Sequence, residues 1–241
     1  MESYYRKQLA YIHDTYYGDL ARNAATEILN TSTVLFSKKA VDLGCGSGIL
    51  ASVLSENGIK VSGIDLSSDL LEIAKTRSPE STFIHGSLFD YPFEFVDIIC
   101  AIGEPFNYLF DNKTNYSELT KLIHTIYTHL NPSGLFLFDI LTDEVDTEHT
   151  IRIIEKEDLT LFPDIEVDSK KTVLTRKMIY FLRKNNCYEK DAEIHRQFLF
   201  NVAKIENILS EVGFRYERLN GYNGLGFRKG HYGFLCRKQI A

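Results

Sequence analysis

Residues 41–48 read Val-Asp-Leu-Gly-Cys-Gly-Ser-Gly, with glycine at every second position after an apolar run. Without a Cβ, glycine lets the main chain turn sharply and bring its N–H groups against a ligand. The short apolar run from Ala40 to Leu43 predicts a buried strand. Leu50, Val53 and Leu54, spaced to share one face, predict a helix on the other side of the turn. A strand, a glycine turn and a helix open a βαβ unit. The free N–H groups and partial positive charge of the helix N-terminus then face whatever the turn approaches. A second signal follows: Asp65 closes the next apolar run, Val61-Ser62-Gly63-Ile64-Asp65. An acid at the end of the second strand can hold two ribose hydroxyls by charge-assisted hydrogen bonds.

The same alternation continues. Gly58 breaks the first core helix, and Lys60–Ile64 is the second strand. Ser67 or Ser68 caps a helix carrying Leu70, Ile73 and Ala74, which stops at Ser78-Pro79. Runs 82–85 and 96–102 read as strands three and four. Asn115 with Glu118 forms a capping box before the most periodic helix, marked by Leu119, Leu122, Ile123, Ile126, Tyr127 and Leu130. Asn131-Pro132-Ser133-Gly134 is a turn, and 135–140 the fifth strand. Near-continuous apolar strands alternating with helices predict a parallel sheet covered on both faces. Upstream, Tyr5, Leu9, Ile12 and Tyr16 suggest an amphipathic helix ended by Gly18, and Asp19 caps a second with Leu20, Ala24 and Ile28.

From about Thr150 to Phe200 the helical period vanishes. Two β-rich runs, 172–183 and 187–200, flank Asn185-Asn186, a hairpin turn. This stretch reads as an inserted antiparallel lobe. Helix returns at 202–212, and two last strands, 214–220 and 231–238, are joined by the glycine-rich Gly221–Gly230 segment. The expected organisation is one domain over 1–241: N-terminal helices (1–38), a cofactor-binding core (39–149), the lobe (150–200) and completion of the core sheet (201–241). No apolar run reaches membrane-span length, and the polar N-terminus lacks the apolar core of a signal peptide. The four cysteines, Cys45, Cys100, Cys187 and Cys236, show no CxxC spacing. A cytoplasmic location and no metal site are therefore expected, with Cys100 as a small buried residue on a strand.

These residues resemble the class I S-adenosylmethionine-dependent methyltransferases, a seven-stranded Rossmann-like family. The likeness runs strongly from Lys39 to Ile140 and more weakly through the last two strands. It implies an α/β fold: a seven-stranded, mostly parallel sheet with helices on both faces, here with an inserted antiparallel β lobe. It also implies S-adenosylmethionine as cofactor, with Asp42, Gly44, Cys45, Gly46 and Gly48 around its methionine part. Asp65 would hold the ribose, Leu66 would lie beside the adenine, and Ser87 and Leu88 would meet the adenine edge. Gly103 would complete the set. Many family members carry an acid where Ser87 stands; Asp90, one turn away, is the substitute. The segments Tyr11-Ile12-His13-Asp14, Gly103-Glu104 with Asn107-Tyr108, and Gly230-His231-Tyr232-Gly233-Phe234 are similar to a bacterial subgroup with no substrate to transfer.

Ligands of open parallel sheets bind beyond the carboxyl ends of the strands. That places the methyl acceptor among Gly103–Tyr108, the lobe and Gly221–Gly230, with the N-terminal helices closing over the top. Glu104, Tyr108 and His195 are the candidate catalytic residues, and a base is needed only if the acceptor arrives protonated. His195 shares a strand face with Glu189, Asp191 and Glu193, and a two-residue turn puts Arg176 opposite it. That face reads as solvated with cross-strand charge pairs, as a wall of the acceptor pocket, or as a metal site. Arg228 and His231 either bind an acidic acceptor or solubilise a mobile loop. The tyrosines Tyr4, Tyr5, Tyr11, Tyr16 and Tyr17 read as helix packing, with one of them covering a sulfonium as the alternative.

The expected function is methyl transfer to a small molecule, by a monomer or homodimer, without nucleic-acid or membrane partners. The formal net charge of −6 gives no general attraction for polyanions. Alternatives are an RNA or protein methyltransferase and a non-catalytic S-adenosylmethionine-binding protein. The GxGxG spacing argues against a nicotinamide enzyme. Glu104-Pro105-Phe106 only echoes the D/N-P-P-aromatic loop of base methyltransferases.

Overall fold

The computed structural model describes residues 4–31, 38–110, 112–146 and 149–239. In chain order its elements are α1 (Lys7–Tyr16), α2 (Asp19–Thr31), β1 (Lys39–Leu43), α3 (Ile49–Glu56), β2 (Lys60–Asp65), α4 (Ser68–Arg77), β3 (Thr82–His85), β4 (Val96–Ala101), α5 (Tyr116–His129) and β5 (Leu130–Leu141). The lobe adds β6 (Thr150–Ile151), β7 (Ile154–Glu155), β8 (Leu159–Val167), β9 (Val173–Lys184) and β10 (Cys187–Phe198). The chain ends with α6 (Val202–Val212), β11 (Phe214–Leu219), β12 (Gly221–Tyr222), β13 (Leu225–Gly226) and β14 (His231–Lys238).

The main sheet has seven strands in the order β11-β14-β5-β4-β1-β2-β3, parallel except for β14, which runs antiparallel to both neighbours. The order reverses direction between β1 and β4, so the crevice for a ligand opens there. Strand alternation sorts the core. Val41, Ile99, Phe136, Phe138 and Phe234 pack under α5 and α6. Ala40, Ile98, Cys100, Leu137 and Leu235 pack under α2 and α3. Three helices open on side-chain caps: Ser67 accepts from Leu70 N, Asn115 from Glu118 N, and Asn201 from Lys204 N.

The lobe is a second, antiparallel sheet, β10-β9-β8-β6, with β7 also on β8. Lys184 pairs with Cys187, so Asn185-Asn186 is the two-residue turn, and His195 lies opposite Arg176. Three strands of the lobe had no separate signal: the two-residue β6 and β7, and β8, with Pro163 in mid-strand, where a missing N–H argues against a strand. A small hairpin, β12–β13, lies inside the glycine-rich segment, its turn made by Asn223 and Gly224 at positive φ. The lobe does not hang free. Leu9 and Ile12 of α1 pack on Leu159, Leu161, Met178 and Tyr180, and each fully buried aliphatic side chain stabilises the join by about 2 kcal/mol. No described helix is long and apolar enough to cross a membrane.

Tyr5 does not belong to α1. It precedes the helix with a φ of 49°, in the left-handed region that a bulky residue enters only when held there. Its place within the helix was the wrong expectation, because contacts remote in sequence pin the chain on both sides of it; its ring still packs on the cluster of Leu9 and Ile12.

Candidate active site

The glycine turn is shaped by main-chain bonds. Gly44 N and Cys45 N donate to Ile64 O (2.8 and 3.0 Å), tying the turn to β2. Gly44, Gly46 and Gly48 all have positive φ. A Cβ on Gly44 would lie 2.6 Å from Cβ of Pro105, and one on Gly48 would lie 2.9 Å from Cβ of Ala74. A Cβ on Gly46 would meet nothing within 4 Å, so that side of the turn is open. Gly46 N donates to Oδ2 of Asp65 and Ser67 N to its Oδ1, both at 2.8 Å. Burial raises the Asp65 pKa while these two donors lower it. Arg77 clamps the turn from outside: it donates to Ser47 O (2.7 Å) and grips both carboxylate oxygens of Asp14 on α1.

Beyond the turn lies a cleft of about 860 Å³. Of the residues singled out from sequence, Gly44, Gly46, Asp65, Leu66, Leu88, Gly103 and Tyr108 line it. Asp42, Cys45 and Gly48 lie outside the lining. Asp42 is buried, with Cys100 Sγ 3.6 Å away, and burial pushes its pKa up to about 7. The Cys45 thiol packs against Gly63, where a Cβ would lie 2.8 Å from the sulfur. Ser87 accepts from Phe89 N (3.2 Å) and starts the turn that places Leu88 and Phe89 in the cleft, while Asp90 is paired with Lys113. Tyr5, His13 and Tyr17 also line it.

After β4, Gly103 and Glu104 take φ values of 89° and 65° in succession. Asp139, fully buried on β5, holds both: it accepts from Gly103 N (3.0 Å) and Glu104 N (2.7 Å). The same carboxylate accepts from Tyr222 Oη (3.1 Å) and pairs with His231 Nε2 (3.0 Å). Burial lowers the His231 pKa, but Asp139 and Glu104 outweigh it and raise it.

Glu104 is the centre of a second cluster. Arg228 Nη2 lies 2.9 Å from Oε1, Gln197 Nε2 donates to Oε2 at 2.7 Å, and Arg176 Nη2 is 3.9 Å away. Burial alone would raise its pKa; Arg228, Arg176 and His231 bring it down to about 2. A carboxylate so held stays an anion near neutrality, which suits an anchor for the surrounding cations. Arg228 and His231 thus find their acids inside the protein.

Tyr108 meets Tyr5 hydroxyl to hydroxyl at 2.9 Å and stacks on Phe110 with centroids 4.6 Å apart. His195 is fully buried behind this aromatic wall, its ring 4.7 Å from Tyr5, 5.1 Å from Phe110 and 5.8 Å from Tyr108. Its Nε2 lies 2.9 Å from Glu193 Oε2. Glu193 also accepts from Tyr5 N (2.9 Å) and Arg6 N (2.8 Å), and Ser67 Oγ donates to Tyr5 O (3.0 Å). Residues 4–6 therefore strap the lobe to the loop that follows Asp65. The solvated-face expectation holds only toward the hairpin tip. Glu189 and Asp191 are half-buried, whereas Glu193, His195 and Gln197 are buried because the strap and the loop after β4 cover them. Among the described residues no group of three His, Cys, Asp or Glu is placed to hold a metal.

A family model described as a methyltransferase domain matches residues 40–134. The "Putative methyltransferase YqeM" of Bacillus subtilis (strain 168) is 28% identical over 193 residues, 75% of each chain. A crystal structure of an S-adenosylmethionine-dependent methyltransferase from Clostridium acetobutylicum superposes with a TM-score of 0.80 at 16% identity, covering 97% of this chain and 98% of that one. CalS10 from Micromonospora echinaspora, an amino pentose methyltransferase solved with S-adenosylmethionine bound, gives 0.75 at 15% identity and covers 96% of each. Residues 40–134 are a methyltransferase domain, and the chain has the fold of S-adenosylmethionine-dependent methyltransferases. In this methyltransferase S-adenosylmethionine is the methyl donor, and the cleft suits it. The open face of Gly46 leaves room for close approach, a carboxylate stands at the end of β2, and Leu66, Leu70, Leu88 and Phe89 give an apolar slot.

Several residues of the methyltransferase's site escaped the sequence reading. Asp139 had a signal, a lone acid in the apolar run Leu135–Leu141. Gln197 continues the face of Glu193 and His195. Arg176 was signalled by the hairpin register that sets it opposite His195, and Tyr5 only as one of five N-terminal tyrosines, since distant chain segments bring it in.

Proposed function

We propose that this methyltransferase modifies a small-molecule acceptor held in the cleft against the wall of Tyr5, Tyr108 and Phe110. One observation carries the reading. The cleft beyond the glycine turn is bounded by the rings of Tyr5, Tyr108 and Phe110, with His195 of β10 behind them, and its lining is mostly apolar, which suits a compact ligand. The likeness to an amino pentose methyltransferase over nearly the whole chain, lobe included, supports it. On this reading the core, lobe and N-terminal helices work as one domain.

Within that domain Gly44, Gly46 and Gly103 give main-chain approach to the donor. Asp65 takes the ribose hydroxyls with the lone pairs its two N–H donors leave free, and Leu66 and Leu88 flank the adenine. Asp42, Cys45, Gly48 and Ser87 shape the turns from beneath. Tyr108 bounds the acceptor, Glu104 anchors Arg176 and Arg228 around it, and His195 receives a proton where the acceptor has one to lose. The donor is already activated, so alignment supplies much of the acceleration. The test is incubation with methyl-labelled S-adenosylmethionine and, separately, cellular RNA, DNA, protein and small-metabolite fractions. Label is expected in the metabolite fraction; efficient enzyme-dependent label in RNA, DNA or protein would refute the reading.

A further inference from the structure

Two buried side-chain acceptors on β10 have no partner among the described residues: Nδ1 of His195 and Oε1 of Gln197, in residues that are both 0% exposed. Their other ends fix which way they point. The Glu193 carboxylate already accepts from Tyr5 N and Arg6 N, so it accepts from His195 Nε2 as well, and Nδ1 is left with a lone pair. Gln197 spends its NH₂ on Glu104, which leaves its carbonyl oxygen free. A buried acceptor without a donor has given up its hydrogen bond to water for nothing in return, so a ligand N–H or O–H that reaches it is favoured. The two acceptors stand on successive inward positions of one strand, about 7 Å apart. The residues packed against His195, namely Tyr5, Tyr108 and Phe110, line the cleft on their other side.

We propose, building on the small-molecule reading above, that His195 Nδ1 and Gln197 Oε1 form the acceptor-recognition pair. The methyl acceptor is then an amine or alcohol that carries a second N–H or O–H donor on another atom. The pair presents only acceptors, and the nearby cations Arg176 and Arg228 are already faced by Glu104. A ligand rich in donors is therefore matched, whereas one recognised through a carboxylate or phosphate is not. Access runs past the Tyr5 ring, which stands between His195 and the cleft, so the ring turns aside when the acceptor enters. In the transfer, the acceptor N–H or O–H donates to His195 Nδ1. The acceptor lone pair bonds to the methyl carbon as the carbon–sulfur bond breaks, and that bond's electrons stay on sulfur. The acceptor's proton passes to Nδ1, and Glu193 faces the resulting imidazolium.

The experiment uses the full chain, methyl-labelled S-adenosylmethionine and a small-metabolite extract, with His195→Phe and Gln197→Leu alongside. Calorimetric binding of S-adenosylhomocysteine reports folding of each variant. The wild-type product should carry its new methyl on nitrogen or oxygen and keep another N–H or O–H. With that compound purified, Gln197→Leu should raise KM roughly tenfold with kcat little changed, the mark of lost uniform binding. His195→Phe should lower kcat about 100-fold, the scale of lost proton transfer. A methyl on carbon or sulfur, a product without a second donor, or wild-type kcat/KM in both variants would overturn the pair. The product's structure is read from the wild type and stands apart from how either variant folds. Label in no small molecule, while S-adenosylhomocysteine still binds, would remove the small-molecule reading itself and the pair with it.

Discussion

The two halves of the proposed site, donor and acceptor, are built by different means. The donor half is main chain: glycines at positive φ, N–H groups, and one carboxylate that accepts from Gly46 across only 19 positions of sequence. The acceptor half is side chain, and its contacts span the molecule. Gln197 reaches Glu104 across 93 positions, Arg228 reaches it across 124, and Tyr5 N reaches Glu193 across 188. Backbone shape over a short span leaves its requirement written in residue type and spacing. Convergence over long spans leaves only isolated polar residues, each unremarkable alone. A donor site can accordingly be kept while the acceptor side is rebuilt.

The sharpest way to break this comparison is to remove the residue that serves both halves. Asp139 holds the Gly103-Glu104 backbone on one side and Tyr222 and His231 on the other. Asp139→Ala should destabilise the fold by about 3–5 kcal/mol in chemical denaturation, because it leaves several buried groups unpaired. A loss under about 1 kcal/mol would mean the two halves are independent. Next comes the glycine turn. Gly44→Ala meets Pro105 as well as an unfavourable φ and should cost about 2–3 kcal/mol. Gly46→Ala, with open space around it, should cost about 1 kcal/mol. Equal effects in the two variants would show that close packing plays no part in the turn.

How far the sequence could be read follows the same division. The seven core strands, the caps at Ser67 and Asn115 and the hairpin at Asn185-Asn186 were legible, because each depends on local period or on turn chemistry. Arg176 opposite His195 was legible too, since register follows from the turn. The burial of His195 was not. The alternation of Glu189, Asp191, Glu193 and His195 is that of a solvated face, and only the strap and the loop after β4 convert its inner end into interior. Tyr5 was illegible for the same reason: its conformation is imposed by Glu193, Ser67 and Tyr108.

A pH measurement sharpens the contrast within the donor half. Burial raises Asp42 to about 7, so in the folded state it keeps a proton that the unfolded chain has lost above about 4. The ligand-free protein should lose stability from this group as pH rises from about 4 to about 7, by on the order of 4 kcal/mol. Asp42→Asn should flatten that slope in denaturation curves taken across the window, and an unchanged slope would refute the assignment. The smallest effect is expected far from either half. Lys121 pairs with Glu118 on the exposed side of α5, and Lys121→Ala should change stability by less than about 0.5 kcal/mol while leaving donor binding untouched.

The central claim is that the main-chain turn and Asp65 hold S-adenosylmethionine, while the acceptor is read elsewhere. Calorimetric titration of S-adenosylhomocysteine tests it most directly, with wild type, Asp65→Ala and Gln197→Leu compared under one buffer. Asp65→Ala should weaken binding by about 2–3 kcal/mol, the scale of lost charge-assisted hydrogen bonds, and Gln197→Leu should leave it unchanged. Undiminished affinity in Asp65→Ala, or a loss in Gln197→Leu as large as that in Asp65→Ala, would contradict the account.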